Sequence, residues 1–320
     1  MSRASRARRA AAAAAFGGGG LTALTAVAVG VVAVEARLAR RWVGRPFGDA
    51  GPEADGVYGA GPGTTLVLGV VGDSSADGLG AETAEQTPGA IVATGLAALA
   101  GRRVRLVNKA VVGADSRDLP GQVDRLLADV AAPDAVLVMV GANDVTHRVR
   151  PPEAVRALGE AMARLRSAGA EVVVGTCPDL GVVEPVAQPL RTLARRGGRE
   201  LAAAQTIAVV EAGGRSVSLG DLLGPEFRAA PTELFSADRF HPSPAGYARA
   251  AAVLLPAVGA ALDLWPAQER VGRSDRVVPV AQAAAAAAHE PGTEVEGARH
   301  HGAERGPLGR WARLRRRSER

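Results

Sequence analysis

Four short stretches carry residues able to act on a carbonyl group. "GDSSADG" (72–78) offers two serines, and "NKAVVGADS" (108–116) offers Gly113. "GAND" (141–144) offers Asn143, and "DRFHPSPAGY" (238–247) offers Asp238 and His241 in a loop closed by Pro242 and Pro244. A serine hydroxyl becomes a nucleophile when an imidazole takes its proton and a carboxylate orients that imidazole. Asp and His three apart on one stiff loop can supply both groups. Negative charge then develops on the carbonyl oxygen and must meet donors already in place, each worth about 3 kcal/mol. Asn143 carries a neutral NH₂ donor, Gly113 permits close approach of its own N–H, and the Ser74 N–H is a third candidate. Each feature also has a plainer reading. Gly, Asp and Ser make turns and helix caps, Asn143 can be a cap, and an Asp–His pair can sit incidentally on a surface loop.

Elimination narrows the base. The chain has five histidines, 147, 241, 289, 300 and 301, and the last three fall in a low-complexity tail that no packed scaffold would hold. His147, four residues after Asn143, could line a pocket or act structurally. The single cysteine, Cys177, excludes an intramolecular disulfide and a Cys-based metal cluster. At the end of "EVVVGTC" it reads as a small buried thiol.

These residues need a scaffold, and the apolar pattern supplies one. Of the 320 residues 47% are hydrophobic, ample for a buried core. Strand-like runs occur at 65–71, 103–111, 134–141, 170–176 and 206–211. Helix-like segments fall at 83–100, 118–130, 151–168 and 189–204, and a last helix is expected over 244–262 with Ser243 as its cap. Strands that are apolar at nearly every position, separated by amphipathic helices, imply a parallel sheet covered on both faces. In such sheets sites form at the carboxyl ends of strands. The chemically unusual residues gather there.

The two ends read differently. "MSRASRARR" precedes an uncharged stretch, 10–34, which is long enough to cross a bilayer. Arg37, Arg40, Arg41 and Trp42 then read as an interfacial collar. Residues 1–45 are therefore expected to be a basic segment and signal-anchor helix, with the body outside the cytoplasm. Secretion after cleavage near Val34 and Ala36, and a cytoplasmic-facing body, are the alternatives. Residues 46–63 have linker composition, 64–265 form the catalytic domain, and 266–320 read as a disordered Ala/Arg-rich tail. The net charge of +5 belongs mainly to the ends. The basic tail is a candidate contact for anionic lipid, whereas no nucleic-acid motif is present.

The four stretches, in this order, resemble the blocks of the SGNH (GDSL-type) hydrolases across roughly 65–262. On that resemblance Ser74 is the nucleophile, with Gly72, Asp73 and Gly78 around it. Gly113 and Asn143 join the Ser74 N–H in the oxyanion hole, while Asp238 and His241 complete the triad. Asp73 and Asp144 are implied to fix the loops, and Ser75 to start a helix. The resemblance implies a three-layer α/β/α flavodoxin-like fold of about five parallel strands, preceded here by the hydrophobic helix. It also implies ester hydrolysis with no cofactor and no metal. The substrate expectation is a short- or medium-chain acyl or lipid ester. An acyltransferase, a sugar O-acetyl esterase and a non-catalytic tethered binding module are the rival readings. The three tryptophans lie at or beyond the edges of the core, which offers little to an extended polysaccharide.

Overall fold

The computed structural model describes residues 29–39, 41–44, 46–264, 277–289, 293–297 and 311–316. Its centre is a sheet of five parallel strands: β2 (Leu66–Gly72), β3 (Val104–Asn108), β4 (Ala135–Met139), β5 (Glu171–Gly175) and β6 (Arg215–Val217). Their spatial order is β3-β2-β4-β5-β6. The chain therefore winds one way from β2 to β3 and the other way from β4 onward. The crevice between the ends of β2 and β4 is the switch point where such folds bind ligands.

Alternation along each strand feeds two layers. Leu66, Leu68 and Val70 of β2 face the same side as Leu106, Leu137 and Val173. There they meet α3 (Pro88–Ala100), α8 (Leu219–Ala229) and α10 (Pro244–Ala261). Val71, Val136, Val138, Val172 and Val174 face the other way. That face is covered by α4 (Leu119–Asp129), α6 (Pro151–Ser167) and α7 (Leu190–Glu211). Short helices occupy the connections: α2 (Ser74–Asp77), α5 (Ala142–His147) and α9 (Pro231–Leu234). Ser243 caps α10, its hydroxyl accepting from the Gly246 N–H at 3.2 Å.

Three expectations need correction. The stretch 206–211, read as a strand, is the last part of α7, and the strand lies at Arg215–Val217. Leu201, Gln205 and Val209 of α7 are buried at helical spacing, so "TIAVVE" continues a helical face that its β-branched content disguises. Residues 46–63, read as a linker, contain β1 (Gly56–Tyr58), which pairs antiparallel with β3. The Asn108 N–H donates to Asp55 at 2.6 Å and the Gly51 N–H to Asp77 at 2.5 Å. An unpaired edge strand exposes a row of polar groups, and this segment covers it.

The third correction concerns 266–320, read as disordered. It contains β7 (Val277–Pro279), α11 (Val280–His289), β8 (Thr293–Gly297) and β9 (Trp311–Arg316). These strands extend the sheet from β6 in the order β8-β9-β7, all antiparallel, so among the described residues the five parallel strands belong to a mixed sheet of nine. Low complexity misleads here because alanine is the best helix former. Ala283 and Ala287 of α11, with Val278, Val280 and Val295, are buried against Val210 and Ile207 of α7.

At the other end, residues 29–39 form helix α1. Residues 1–28, Arg40 and Arg45, on which most of the anchor expectation rests, lie outside the described residues. Among the described residues no helix is long and apolar enough to cross a membrane.

Two glutamines, both fully buried, tie helices to strand ends. Gln122 of α4 accepts from the Gly72 N–H at 2.7 Å and donates to the Gly72 carbonyl at 2.8 Å. Gln205 of α7 accepts from the Cys177 N–H at 2.8 Å and donates to the Val140 carbonyl at 3.0 Å. Gln122→Leu keeps most of the volume but strands a buried N–H, at a cost of about 2 kcal/mol. Urea denaturation should show that loss as a lower midpoint with an unchanged slope.

Candidate active site

The nucleophile candidate sits where β2 stops. Gly72 has φ 145°, and a Cβ there would lie 1.9 Å from the Met139 carbonyl oxygen, so only glycine lets the chain turn against β4. Asp73 follows as the cap of α2, its carboxylate accepting from the Ser75 N–H at 2.8 Å. Ser74 opens the helix, and its N–H finds no acceptor among the described residues. Ser75 lies one residue further into the first turn.

The base arrives from the far end of the domain. Ser74 Oγ and His241 Nε2 are 3.0 Å apart, and His241 Nδ1 is 2.6 Å from Asp238 Oδ2. The other Asp238 oxygen accepts from the Phe240 N–H, the His241 N–H and the Ser236 hydroxyl, each at 2.9 Å. Burial alone would raise the Asp238 pKa. The hydrogen bonds from the His241 ring and from the Phe240 and His241 N–H groups outweigh it, so the carboxyl lies below its ordinary range. It is held as an anion facing the imidazole. The His241 side chain is 12% exposed, which leaves the pair reachable yet largely dry. An imidazole so placed can take a proton from the Ser74 hydroxyl.

The loop itself is pinned from several sides. The Ser236 hydroxyl also donates to the His241 carbonyl at 3.0 Å, and the Ser243 hydroxyl donates to the Glu233 carbonyl at 2.5 Å. Tyr247, wholly buried on α10, donates to the Leu79 carbonyl at 2.6 Å and so joins the histidine side to the serine side. Ser236, Tyr247 and the two glutamines escape a reading from sequence. For Tyr247 and the glutamines an uncharged polar residue on an apolar helix face is the only signal, and Ser236, in the loop before α10, has none.

The remaining donors come from the neighbouring strand ends. Gly113 follows β3 with φ 85°, in a turn closed by the Ala114 N–H on the Val111 carbonyl at 3.1 Å. Its N–H has no acceptor among the described residues. Asn143, in α5 after β4, donates one amide N–H to the Ala114 carbonyl at 2.9 Å, which leaves its second N–H available. Ser74, Gly113 and Asn143 thus stand on the three adjacent strands β2, β3 and β4. Asp144 is buried and takes the Ser116 N–H and hydroxyl, at 3.1 and 3.0 Å from its Oδ2. His147 lies outside this group of donors, its Nδ1 3.0 Å from Asp115 Oδ2. Cys177 is a free, buried thiol.

Ser74 also borders an apolar cleft. Leu180, Val183, Leu223, Phe227, Phe235 and Phe240 line it. The Phe227 and Phe235 rings meet edge to face at 4.9 Å. Such walls suit a hydrocarbon chain. Among the described residues no cluster of His, Cys, Asp or Glu could hold a metal ion.

Burial raises the Asp73 carboxyl to about 6, against an ordinary 3.8, and the Ser75 hydrogen bonds only partly offset this. A raised folded pKa favours the neutral acid, so its stabilising contribution is full below about pH 4 and is lost as pH rises to about 6. The loss amounts to roughly 3 kcal/mol. Asp73→Asn keeps the cap acceptor without the charge. It should match the parent near pH 4 and exceed it in stability at pH 7–8, as measured by urea denaturation across that range.

Comparison with known proteins identifies the family. The model of the GDSL-like lipase/acylhydrolase family matches residues 70–249. GDSL-like esterase Rv1075c of Mycobacterium tuberculosis is 47% identical over 238 residues, 71% of this chain and 76% of that protein. Among solved structures, TesA is 23% identical with a TM-score of 0.48, over 62% of this chain and 99% of that one. The acetylxylan esterase Axe2 from Geobacillus stearothermophilus is 24% identical with a TM-score of 0.46, over 63% of this chain and 95% of that one. The family match spans more than half of the chain and holds the Ser74, Gly113, Asn143, Asp238 and His241 positions. This protein belongs to the GDSL-like lipase/acylhydrolase family and is an ester-bond hydrolase.

Proposed function

We propose that this protein is a serine carboxylesterase in which Ser74 attacks the acyl carbon, His241 is the general base and acid, and Asp238 orients His241. The observation that carries this reading is the continuous hydrogen-bonded path from Ser74 Oγ to His241 and on to Asp238, at 3.0 and 2.6 Å. His241 takes the Ser74 proton as the tetrahedral adduct forms and returns it to the leaving alcohol. Water, activated by the same imidazole, then releases the acid. The oxyanion is held by the N–H groups of Ser74 and Gly113 and the Asn143 amide. The Ser74 and Gly113 N–H groups and the second N–H of Asn143 have no other acceptor among the described residues, which supports that role.

The substrate we propose is a short- or medium-chain acyl ester, lipid esters included. The phenylalanine-lined cleft beside Ser74 supports an acyl chain rather than an acetyl group alone. A membrane-proximal enzyme, with its catalytic domain outside the cytoplasm, fits the basic leader and the apolar residues 10–34. It fits also the exposed Val31 and Val34 at the end of that stretch and the exposed Leu38 and Trp42 after it.

The test is hydrolysis of p-nitrophenyl acetate, butyrate and octanoate by the full chain and its variants. Ser74→Ala should lower kcat by roughly four orders of magnitude or more and abolish fluorophosphonate labelling. Asp238→Asn should cost about as much in kcat while the protein stays folded. Octanoate should be turned over at least as well as acetate. A folded Ser74→Ala variant with full activity overturns the serine reading.

A further inference from the structure

The loop after β3 and helix α5 after β4 are joined residue by residue. Asn143 Nδ2 donates to the Ala114 carbonyl at 2.9 Å. His147 Nδ1 meets Asp115 Oδ2 at 3.0 Å. Ser116 donates its N–H and hydroxyl to Asp144. Three consecutive loop residues, 114, 115 and 116, are therefore bound to three residues of one short helix. Gly113 immediately precedes this seam, and Asn143 is part of it. His147 lies four residues from Asn143 and so on the same face of α5, one turn further out.

The seam joins two short elements at their exposed ends. The α5 helix has six residues and ends at Arg148 in the left-handed region, φ 59°. The 111–114 turn is exposed at Gly113. Nothing in a two-strand crossover fixes the distance between a turn on β3 and a helix on β4. Asp115 is the best-secured member. Arg117 donates to it through Nε at 2.9 Å and Nη2 at 2.7 Å, and the Asp115 N–H donates to Asp118 at 2.9 Å. Its side chain is 5% exposed against 46% for His147. A fixed buried carboxylate thus receives a half-exposed imidazole.

From this we infer that Asp115 and His147 form a latch that sets the separation of the Gly113 N–H and the Asn143 amide. His147 is thereby a positioning residue for the oxyanion site. The inference rests on the serine esterase reading above. It also explains a histidine beside the site that the Ser74–His241–Asp238 path does not use. Removing one oxyanion donor outright costs 10²–10³-fold in rate, so loosening two of them through the latch should cost about tenfold.

The experiment compares full-length parent, His147→Ala, His147→Gln, Asp115→Asn and the His147→Ala/Asp115→Asn pair. Each is assayed on p-nitrophenyl butyrate and for inhibition by butylboronic acid, whose tetrahedral adduct with serine mimics the oxyanion. His147→Ala should lower kcat about tenfold with KM within twofold, and weaken boronate inhibition by a similar factor. His147→Gln keeps a donor within reach of Asp115 and should recover most of the loss. The pair should lose no more than the worse single variant. Folded His147→Ala and Asp115→Asn proteins with parental kcat and boronate inhibition would overturn the latch. So would a rise in KM alone. Ser74→Ala, run alongside, separates the two ideas: its full activity would remove the serine reading, and its inactivity beside an unaffected His147→Ala would remove the latch alone.

Discussion

The architecture turns on bringing a hydroxyl and an imidazole, 167 residues apart in sequence, to 3.0 Å. Neither side chain can reach far to correct a misplaced backbone, because each has only one or two rotatable bonds. Both ends are therefore fixed by backbone rather than by side-chain reach. On the serine side, Gly72 lies against the Met139 carbonyl and Gln122 grips its N–H and carbonyl together. On the histidine side, one carboxylate gathers two backbone N–H groups and the Ser236 hydroxyl before it meets the ring. Tyr247 closes the circuit through the Leu79 carbonyl.

This precision requires polar groups in places that the core would rather keep apolar. The sheet is buried on both faces, so a strand end that turns away leaves N–H and carbonyl groups without a ladder partner. Water cannot reach them, and each orphan costs about 1–3 kcal/mol. The buried glutamines answer that need without adding charge. Asp73 answers a similar one at the start of α2 and bears the electrostatic penalty, which is why its carboxyl titrates near 6. Stability and site geometry are coupled through these few groups, whereas the valines and leucines on either side of the sheet supply most of the driving force.

Around Ser74 the labour is divided by face. Toward α8 and α10 the neighbours are phenylalanine, leucine and valine, an environment for hydrocarbon. The neighbouring strands β3 and β4 lead instead into polar segments, the Gly113 turn and helix α5 with Asn143. The switch point creates this asymmetry, since the adjacent strands β2 and β4 send their connections to opposite faces of the sheet, α3 on one and α6 on the other.

Much of this was open to a reading of the residues. Apolar periodicity located four of the five parallel strands, because fully buried strands are apolar at nearly every position. The short motifs singled out Ser74, Gly113, Asn143, Asp238 and His241 as candidates, and the fold brings Ser74, His241 and Asp238 within hydrogen-bond reach of one another. Local pattern failed where the deciding partner is distant. "TIAVVE" is helical because the last turns of α7 pack against β6, β8 and α11, a demand that β-branched residues do not announce. The polyalanine run is ordered because α7 offers it a surface. The segment before β2 is a strand because β3 would otherwise be an open edge. The glutamine clamps, the Tyr247 tie and the Asp115–His147 pair depend on which helix crosses which strand end. Sequence determined which groups are available for the chemistry; tertiary packing alone decided their distances, because hydrogen bonds between remote segments exist only once both faces of the sheet are buried.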